Sequence, residues 1–359
     1  MRLFIEMFKR RIINMAAFLT LVFFQHLLYV VLGLAAIFYV VLDGFDLGVG
    51  ILHLFARNDH ERRVFLNAIG PVWDGNEVWL VIIGGLLLAA FSPVYASLLS
   101  GFYVPMMFLV VGLIFRVAAI EFRSKASAIY WRKSWDVVFF ISSLMLAFII
   151  GTILGNLIIG MPINAEGDFS ISLSQFFTPY PMLIGLTAVA LFAMHGSLYL
   201  LMKTEAATQV FVKKLFTWSM ALFVFFYIAL SLATIANYPS MIANMKLHSF
   251  LFAIPAFGFL FLFSIPYQIY KLRYGVAFLS SCLGIACLVL VFGLGTYPIL
   301  IKSTLDPAYN LTIFNASSSK KTLSILAIIV AIGVPMVVGY GSFIYHVFRG
   351  KVKIEKNSY

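Results

Sequence analysis

Charge is what this sequence has least of. Only 11% of its 359 residues are charged and 62% are hydrophobic, whereas a soluble domain carries about 25% charged residues. Mean hydropathy is +1.01. That scarcity excludes a water-soluble enzyme or a nucleic-acid binder, even with a formal charge of +11, and identifies an integral membrane protein. Cysteine is nearly absent. Cys282 and Cys287 stand five apart in one apolar stretch, with no CxxC, no CxxCH and no disulfide framework, so both read as packing residues. Also missing are a phosphate-binding glycine loop, a metal-ligand cluster, a nucleophile triad, a low-complexity linker and an internal repeat. The first apolar run is too long for a cleaved signal peptide. By itself the chain shows no redox centre.

What is present is hydrophobic length. A bilayer core about 30 Å thick needs roughly 20 apolar residues per helix. That ruler predicts nine spans, near 20–55, 64–92, 98–122, 135–160, 180–202, 213–237, 248–270, 275–298 and 322–348. The fold class is therefore an all-α polytopic membrane protein. The positive-inside rule sets the orientation. With the N-terminus outside, inner loops 56–63, 123–134, 203–214, 271–274 and the tail from Arg349 hold sixteen of the 25 Lys and Arg residues. The outer loops hold four: Lys246, Lys302, Lys320 and Lys321. The C-terminus is then cytoplasmic. Arg2, Lys9, Arg10 and Arg11 conflict with this topology. A start at Met15 would remove them, making 1–14 an untranslated extension and 15–359 a single membrane domain. A basic helix lying on the membrane surface is the alternative.

Ionisable groups inside spans are costly, about 2.5–3.5 kcal/mol each at a helix centre, and mark function or pairing. The first span holds Asp43 and Asp46 in LDGFDLGVG, and the second holds Asp74 and Glu77 in GPVWDGNEVWL. Measured from the loop RNDHERR at 1.5 Å per residue, Asp46 and Asp74 lie about 16 Å deep, and Asp43 and Glu77 about 21 Å. A helical hairpin would hold four carboxyls in two level pairs, each i,i+3 pair on one face. Gly44 and Gly48 form a GxxxG step that lets another helix approach closely. Asn67 and Gly70 continue the polar stripe toward the cytoplasm. Four carboxylates cannot all stay ionised there without cations, which suits a proton path. A structural role, with the acids pairing to Arg116 of the third span and capping broken helices, stands beside that reading, and a cation site is a third.

Other polar residues carry weaker signals. His195 and His26 lie within spans and read as hydrogen-bonded packing residues, since neither has a second heme ligand in view. His53, His60, His248 and His346 are expected to face water or headgroups. Trp73, Trp79, Trp131, Trp135 and Trp218 read as belt or packing aromatics, with Trp79 one turn from the acids. NLT at Asn310 and NAS at Asn315 match glycosylation acceptors, a weak pattern.

The block DGFDLGVGILHLFARNDHERRVFLNAIGPVWDGNEVWL closely resembles subunit II of the cytochrome bd-type quinol oxidases. SGFYVPMMFL, FRVAAIEFRSK, WRKSWD and STLDPAYNLTIFNASSSKKTL continue the likeness in order, from about residue 18 to the C-terminus. The resemblance implies two four-helix bundles plus a peripheral ninth helix. It implies a bacterial cell-membrane terminal oxidase that oxidises quinol and reduces dioxygen to water. The heme-bearing subunit I would form a heterodimer with this chain and carry two b-type hemes, one d-type heme and the quinol site. A small third subunit is left open. This chain would bind no heme, stabilise subunit I and help deliver cytoplasmic protons. By motif match Asp74 is the leading proton-path residue, with Asp43, Asp46 and Glu77 behind it. Trp79 would line a dioxygen route, and Arg116 would compensate charge. A stand-alone proton-coupled transporter is the competing function; it predicts repeats and interrupted helices in both halves.

Overall fold

The computed structural model describes residues 2–354, with side chains from Thr20 onward. The first half contains α1 (Arg2–His53), α2 (Asp59–Ile69), α3 (Trp73–Ala90), α4 (Ser92–Gly101), α5 (Tyr103–Phe122), α6 (Ile129–Ile159) and α7 (Leu173–Phe176). The second contains α8 (Pro179–Lys203), α9 (Ala206–Asn237), α10 (Ala243–Leu247), α11 (Ala253–Tyr270), α12 (Tyr274–Thr296) and α13 (Lys320–Val347). A short antiparallel pair, β1 (Ile299–Ile301) and β2 (Leu311–Thr312), lies between α12 and α13. Nine helices among the described residues are long and apolar enough to cross a bilayer: α1 from Thr20, α3, α5, α6, α8, α9, α11, α12 and α13. Several outrun their apolar windows, because Lys and Arg at a helix end keep their stems in the apolar layer and their charges in water. The expectation of a start at Met15 falls on the segment whose side chains lie outside the described residues.

The second span differs from expectation. The stretch read as one helix over 64–92 is broken: α2 ends at Ile69 and α3 begins at Trp73. Pro71 is the physical cause, since it offers no N–H and its ring clashes with the carbonyl four residues back. The chain turns there, with Val72 N–H donating to Ile69 O at 2.8 Å. Asn58 fixes the start of α2 by accepting from the Glu61 N–H at 2.9 Å.

α8 is the most buried spanning helix and packs against α1, α6, α9 and α12. The α1–α8 crossing is backbone against backbone. A Cβ on Gly48 would fall 1.8 Å from Phe192 O, and one on Gly196 would fall 2.5 Å from Gly48 C. The GxxxG step thus does what small residues do between membrane helices. α13 lies against α1 and α3.

The two ends differ in chemistry. At one, loop 160–178 meets loop 297–319 through Met161 N–H to Lys302 O (2.8 Å) and Ser303 Oγ to Ile163 O (2.9 Å). At the other, arginines and acids of the 54–62 and 123–136 segments interlock. There the tail crosses the end of α8, with Val352 N–H donating to Lys203 O at 2.9 Å and Lys351 Nζ to Thr204 O at 2.8 Å. Partial desolvation at that crossing lowers the ammonium of exposed Lys351 from its ordinary value, against a smaller pull from Glu205.

Candidate functional site

Three helices meet around one guanidinium. Arg116 on α5 is fully buried; its Nη1 donates to Asp43 Oδ2 at 2.9 Å. Its Nη2 lies 2.7 Å from Asp43 Oδ1 and 3.2 Å from Glu77 Oε2. α1 and α3 thus each present a carboxyl to a single cation. One turn closer to the charged end, Asn76 of α3 donates from Nδ2 to Asp46 Oδ2 at 2.7 Å. The Tyr345 hydroxyl of α13 donates to Asn76 Oδ1 at 2.7 Å, which fixes the amide's orientation. Asp46 is buried, and its Oδ1 has no hydrogen-bond partner among the described residues.

Of the two expected level pairs, Asp43 and Glu77 do meet, through Arg116. Asp46 and Asp74 do not. Asp46 faces Asn76, and Asp74 is exposed on the outside of α3. The reason is the break at Pro71. α3 starts afresh at Trp73, so the continuous stripe from Asn67 through Gly70 to Glu77 does not form, and the inward position of its first turns goes to Asn76. The depth estimate fares better. Asn76 also reaches Leu42 O at 3.3 Å, so Asp74, two residues nearer the charged end, lies about level with Asp46. Glu77 borders an open groove of about 610 Å³ that continues along α5 past Val117 to Glu121. Trp79 is buried, its ring stacked on Phe38 at 4.3 Å.

A second ionic cluster, missed from sequence, sits at the charged end. Asp136 of α6 is buried; it accepts from Arg62 Nη1 at 2.9 Å, from Arg123 Nε at 2.5 Å and lies 2.6 Å from His53 Nε2. Asp59 adds contacts to Arg123 (2.7 Å) and Arg132 (3.1 Å). His53 is therefore not water-facing as expected: it is wholly buried, with a strong partner on one ring nitrogen and none on Nδ1. His60, His248 and His346 are exposed. A lone acid, Asp136, in the basic stretch 123–136 was the signal available in the sequence. Nearby, Arg57 pairs with Glu61 by side chain and backbone N–H. Burial opposes charge on Glu61, but those bonds hold its carboxyl below the ordinary value.

The remaining candidates are occupied. His195 lies 2.7 Å from Ser281 Oγ and 2.9 Å from Val41 O, so both ring nitrogens are engaged. His26 likewise meets Val22 O and the Tyr297 hydroxyl. Neither offers iron a free axial nitrogen, and the donor chemistry does not fit a heme. No group of three His, Cys, Asp or Glu arranged for a metal ion occurs among the described residues. Cys282 and Cys287 are free thiols. Asn310 and Asn315 stitch the 303–315 loop, their Oδ1 atoms accepting from Ser303 N–H and Thr312 N–H.

Residues 24–348 match the family described as cytochrome bd terminal oxidase subunit II. The chain belongs to that family. It is similar to the cytochrome bd-I ubiquinol oxidase subunit 2 of Escherichia coli strain K12, 31% identical over 92% of this chain and 96% of the relative. It is similar to the cytochrome bd ubiquinol oxidase subunit 2 of Bacillus subtilis strain 168, 33% identical over 87% of this chain and 91% of the relative. A chain in the structure of bd oxidase from Geobacillus thermodenitrificans shares the fold, with a TM-score of 0.73 over 90% of this chain and 98% of that one, at 16% identity. For a subunit II chain, the Arg116 cluster and the Asp136 cluster are thus the buried ionic features to explain.

Proposed function

We propose that this chain is the non-heme half of an electrogenic bd-type quinol oxidase, stabilising a heme-bearing subunit I and passing it cytoplasmic protons. In this reading the N-terminus is outside, and the Arg- and Lys-rich end described above is cytoplasmic. The single observation that carries the proposal is the position of Asp74. Its carboxyl is exposed on the flank of the chain, in the first turn of α3 and about level with buried Asp46. Against lipid such a group costs about 2.5–3.5 kcal/mol. Against a partner's polar surface it is a place to hand over a proton. Glu77, three residues on from Asp74 in α3, borders the groove beside α5.

The partner's hemes supply the oxygen-reducing chemistry. This chain's residues bind and move protons. Asp74 takes one from the cytoplasmic side and presents it to the covering subunit. Arg116 keeps Asp43 and Glu77 from repelling each other while leaving the site one positive charge short. Charge crosses the membrane because protons are consumed from one side and released by quinol on the other, each worth about 2.3 kcal/mol per 100 mV. The test is Asp74→Asn in the assembled oxidase. Oxygen consumption is expected to fall roughly tenfold, about 1.4 kcal/mol of barrier, with heme content unchanged. Normal turnover would leave only the stabilising role.

A further inference from the structure

The proton-delivery reading leaves unexplained a row of buried polar atoms on the other side of the acids. On α1, residues 43, 46, 50 and 53 fall within an arc of about 80° at 100° per residue. That face carries Asp43, Asp46 and His53, and at its middle a glycine. Opposite Gly50 stands Ser143 of α6, wholly buried, its hydroxyl without a hydrogen-bond partner among the described residues. A Cβ on residue 50 would fall 2.0 Å from that Oγ, so only glycine leaves the hydroxyl its place. His53 and Asp46, about one turn to either side of Gly50 on α1, also carry buried atoms, Nδ1 and Oδ1, without a hydrogen-bond partner among the described residues. Three consecutive orphans on one seam are unusual, because buried polar groups are almost always satisfied by protein or by ordered water.

The seam has two distinct ends. His53 and Asp46 are seven residues apart, about 10 Å along the helix. Ser143, opposite Gly50, stands between them along the helix. At the cytoplasmic end the His53 Nε2 is held by Asp136, itself flanked by Arg62 and Arg123. At the inner end stand Asp46 with Asn76, and beyond them Asp43 and Glu77 on Arg116. With Nε2–H donating to the Asp136 carboxylate, Nδ1 is the ring atom that faces the seam.

Resting on the proton-delivery reading, we infer that the seam from His53 past Ser143 to Asp46 is a water-filled proton inlet within this chain. A proton leaves Nδ1 of the His53 imidazolium, crosses the water chain beside the Ser143 hydroxyl and forms an O–H bond on the Asp46 carboxylate. The imidazole left behind keeps its Nε2–H on Asp136. A half-turn of the ring then brings that N–H to the seam and the bare nitrogen to Asp136, through which a proton from the cytoplasmic side restores the imidazolium. His53 is thus the donor, Ser143 the middle support and Gly50 the residue that keeps the passage open.

The test uses the assembled oxidase in liposomes, reading proton uptake from the cytoplasmic side, turnover against pH and heme content. Ser143→Val places a second methyl branch in the seam and is expected to slow uptake about tenfold with heme content intact. Ser143→Ala, the milder change should valine disturb folding, is expected to slow it about threefold. His53→Gln should remove the part of the fall in turnover with rising pH that follows loss of the imidazolium. A merely structural serine would leave both the rate and the pH profile untouched. Wild-type uptake and an unaltered profile in Ser143→Ala and His53→Gln would overturn the inlet. If Asp74→Asn slows turnover while those variants do not, only the inlet fails. If Asp74→Asn and Asp46→Asn are also without effect, the proton-delivery reading fails with it.

Discussion

The two buried ionic clusters are built from the same residue types and balanced in opposite directions. Around Arg116 three carboxyls gather, on Asp43, Asp46 and Glu77, and Asp46 is met by an amide rather than a cation. Around Asp136 the cations prevail: Arg62 and Arg123 hold one buried acid, with His53 against it. Asp59, half exposed, sits between Arg123 and Arg132. A cluster in which cations saturate a buried acid keeps that acid charged and ties helices together, and in the proposed inlet its His53 passes a proton on. A cluster with more carboxyls than cations cannot keep all of them charged in a low-dielectric interior, and protons settle there. On the proposed reading, the Arg- and Lys-rich end anchors the helices and the level of Asp46 is where protons are held.

The largest expected effect breaks the inner cluster. Arg116→Met leaves Asp43 and Glu77 facing each other without a counter-charge, a loss of about 3–5 kcal/mol. The measurement is the yield of heme-bearing complex, expected to collapse and to recover in part when Asp43→Asn is added. Next, Asp136→Asn leaves buried Arg123 and half-buried Arg62 without their shared acceptor. Thermal unfolding of the purified complex should show a loss of about 3 kcal/mol. Tyr345→Phe sharpens the comparison from the inner side. It removes the donor that fixes the Asn76 amide and should cost about 1 kcal/mol, with a small change in turnover. An unfolding midpoint equal to the parent's would show that α13 does not help hold Asp46.

The smallest effect concerns Glu61, at the Arg- and Lys-rich end. Its carboxyl is held below the ordinary value by Arg57. Its contribution is therefore complete above the unfolded carboxyl range, about 4.3, and fades as pH falls through the lowered folded value. Glu61→Gln should cost about 1 kcal/mol near pH 7, and the gap to the parent should narrow in unfolding experiments toward pH 4 and below.

Much of the fold was legible because the bilayer asks only for length and apolarity, and nine windows met that demand. The contact at Gly44 and Gly48 was also readable, since small residues at that spacing have one strong meaning between membrane helices. Less legible was anything that depended on helical phase. Gly70–Pro71 is a plain stop signal in GPVWDGNEVWL, yet the depth ruler ran across it. That is why Asp74 was paired with Asp46 when Asn76 holds that position. The Asn76 amide carries no charge, so the cost of burying ionisable groups does not single it out. Asp136 and His53 escape it for a different reason: both lie at span edges, where water is the default partner. Their burial comes from arginines supplied by two other segments, a fact of tertiary packing that no local pattern carries. Arg116 was the exception, because a lone buried cation has few partners other than the acids already in view.

Infrared difference spectroscopy of the assembled oxidase tests the charge imbalance most directly, through the C=O stretch of protonated carboxyl groups. A band that disappears in Asp46→Asn and persists in Asp136→Asn is the predicted result. A band lost in Asp136→Asn, or unchanged in Asp46→Asn, Asp43→Asn and Glu77→Gln alike, would contradict the assignment of protons to the inner cluster.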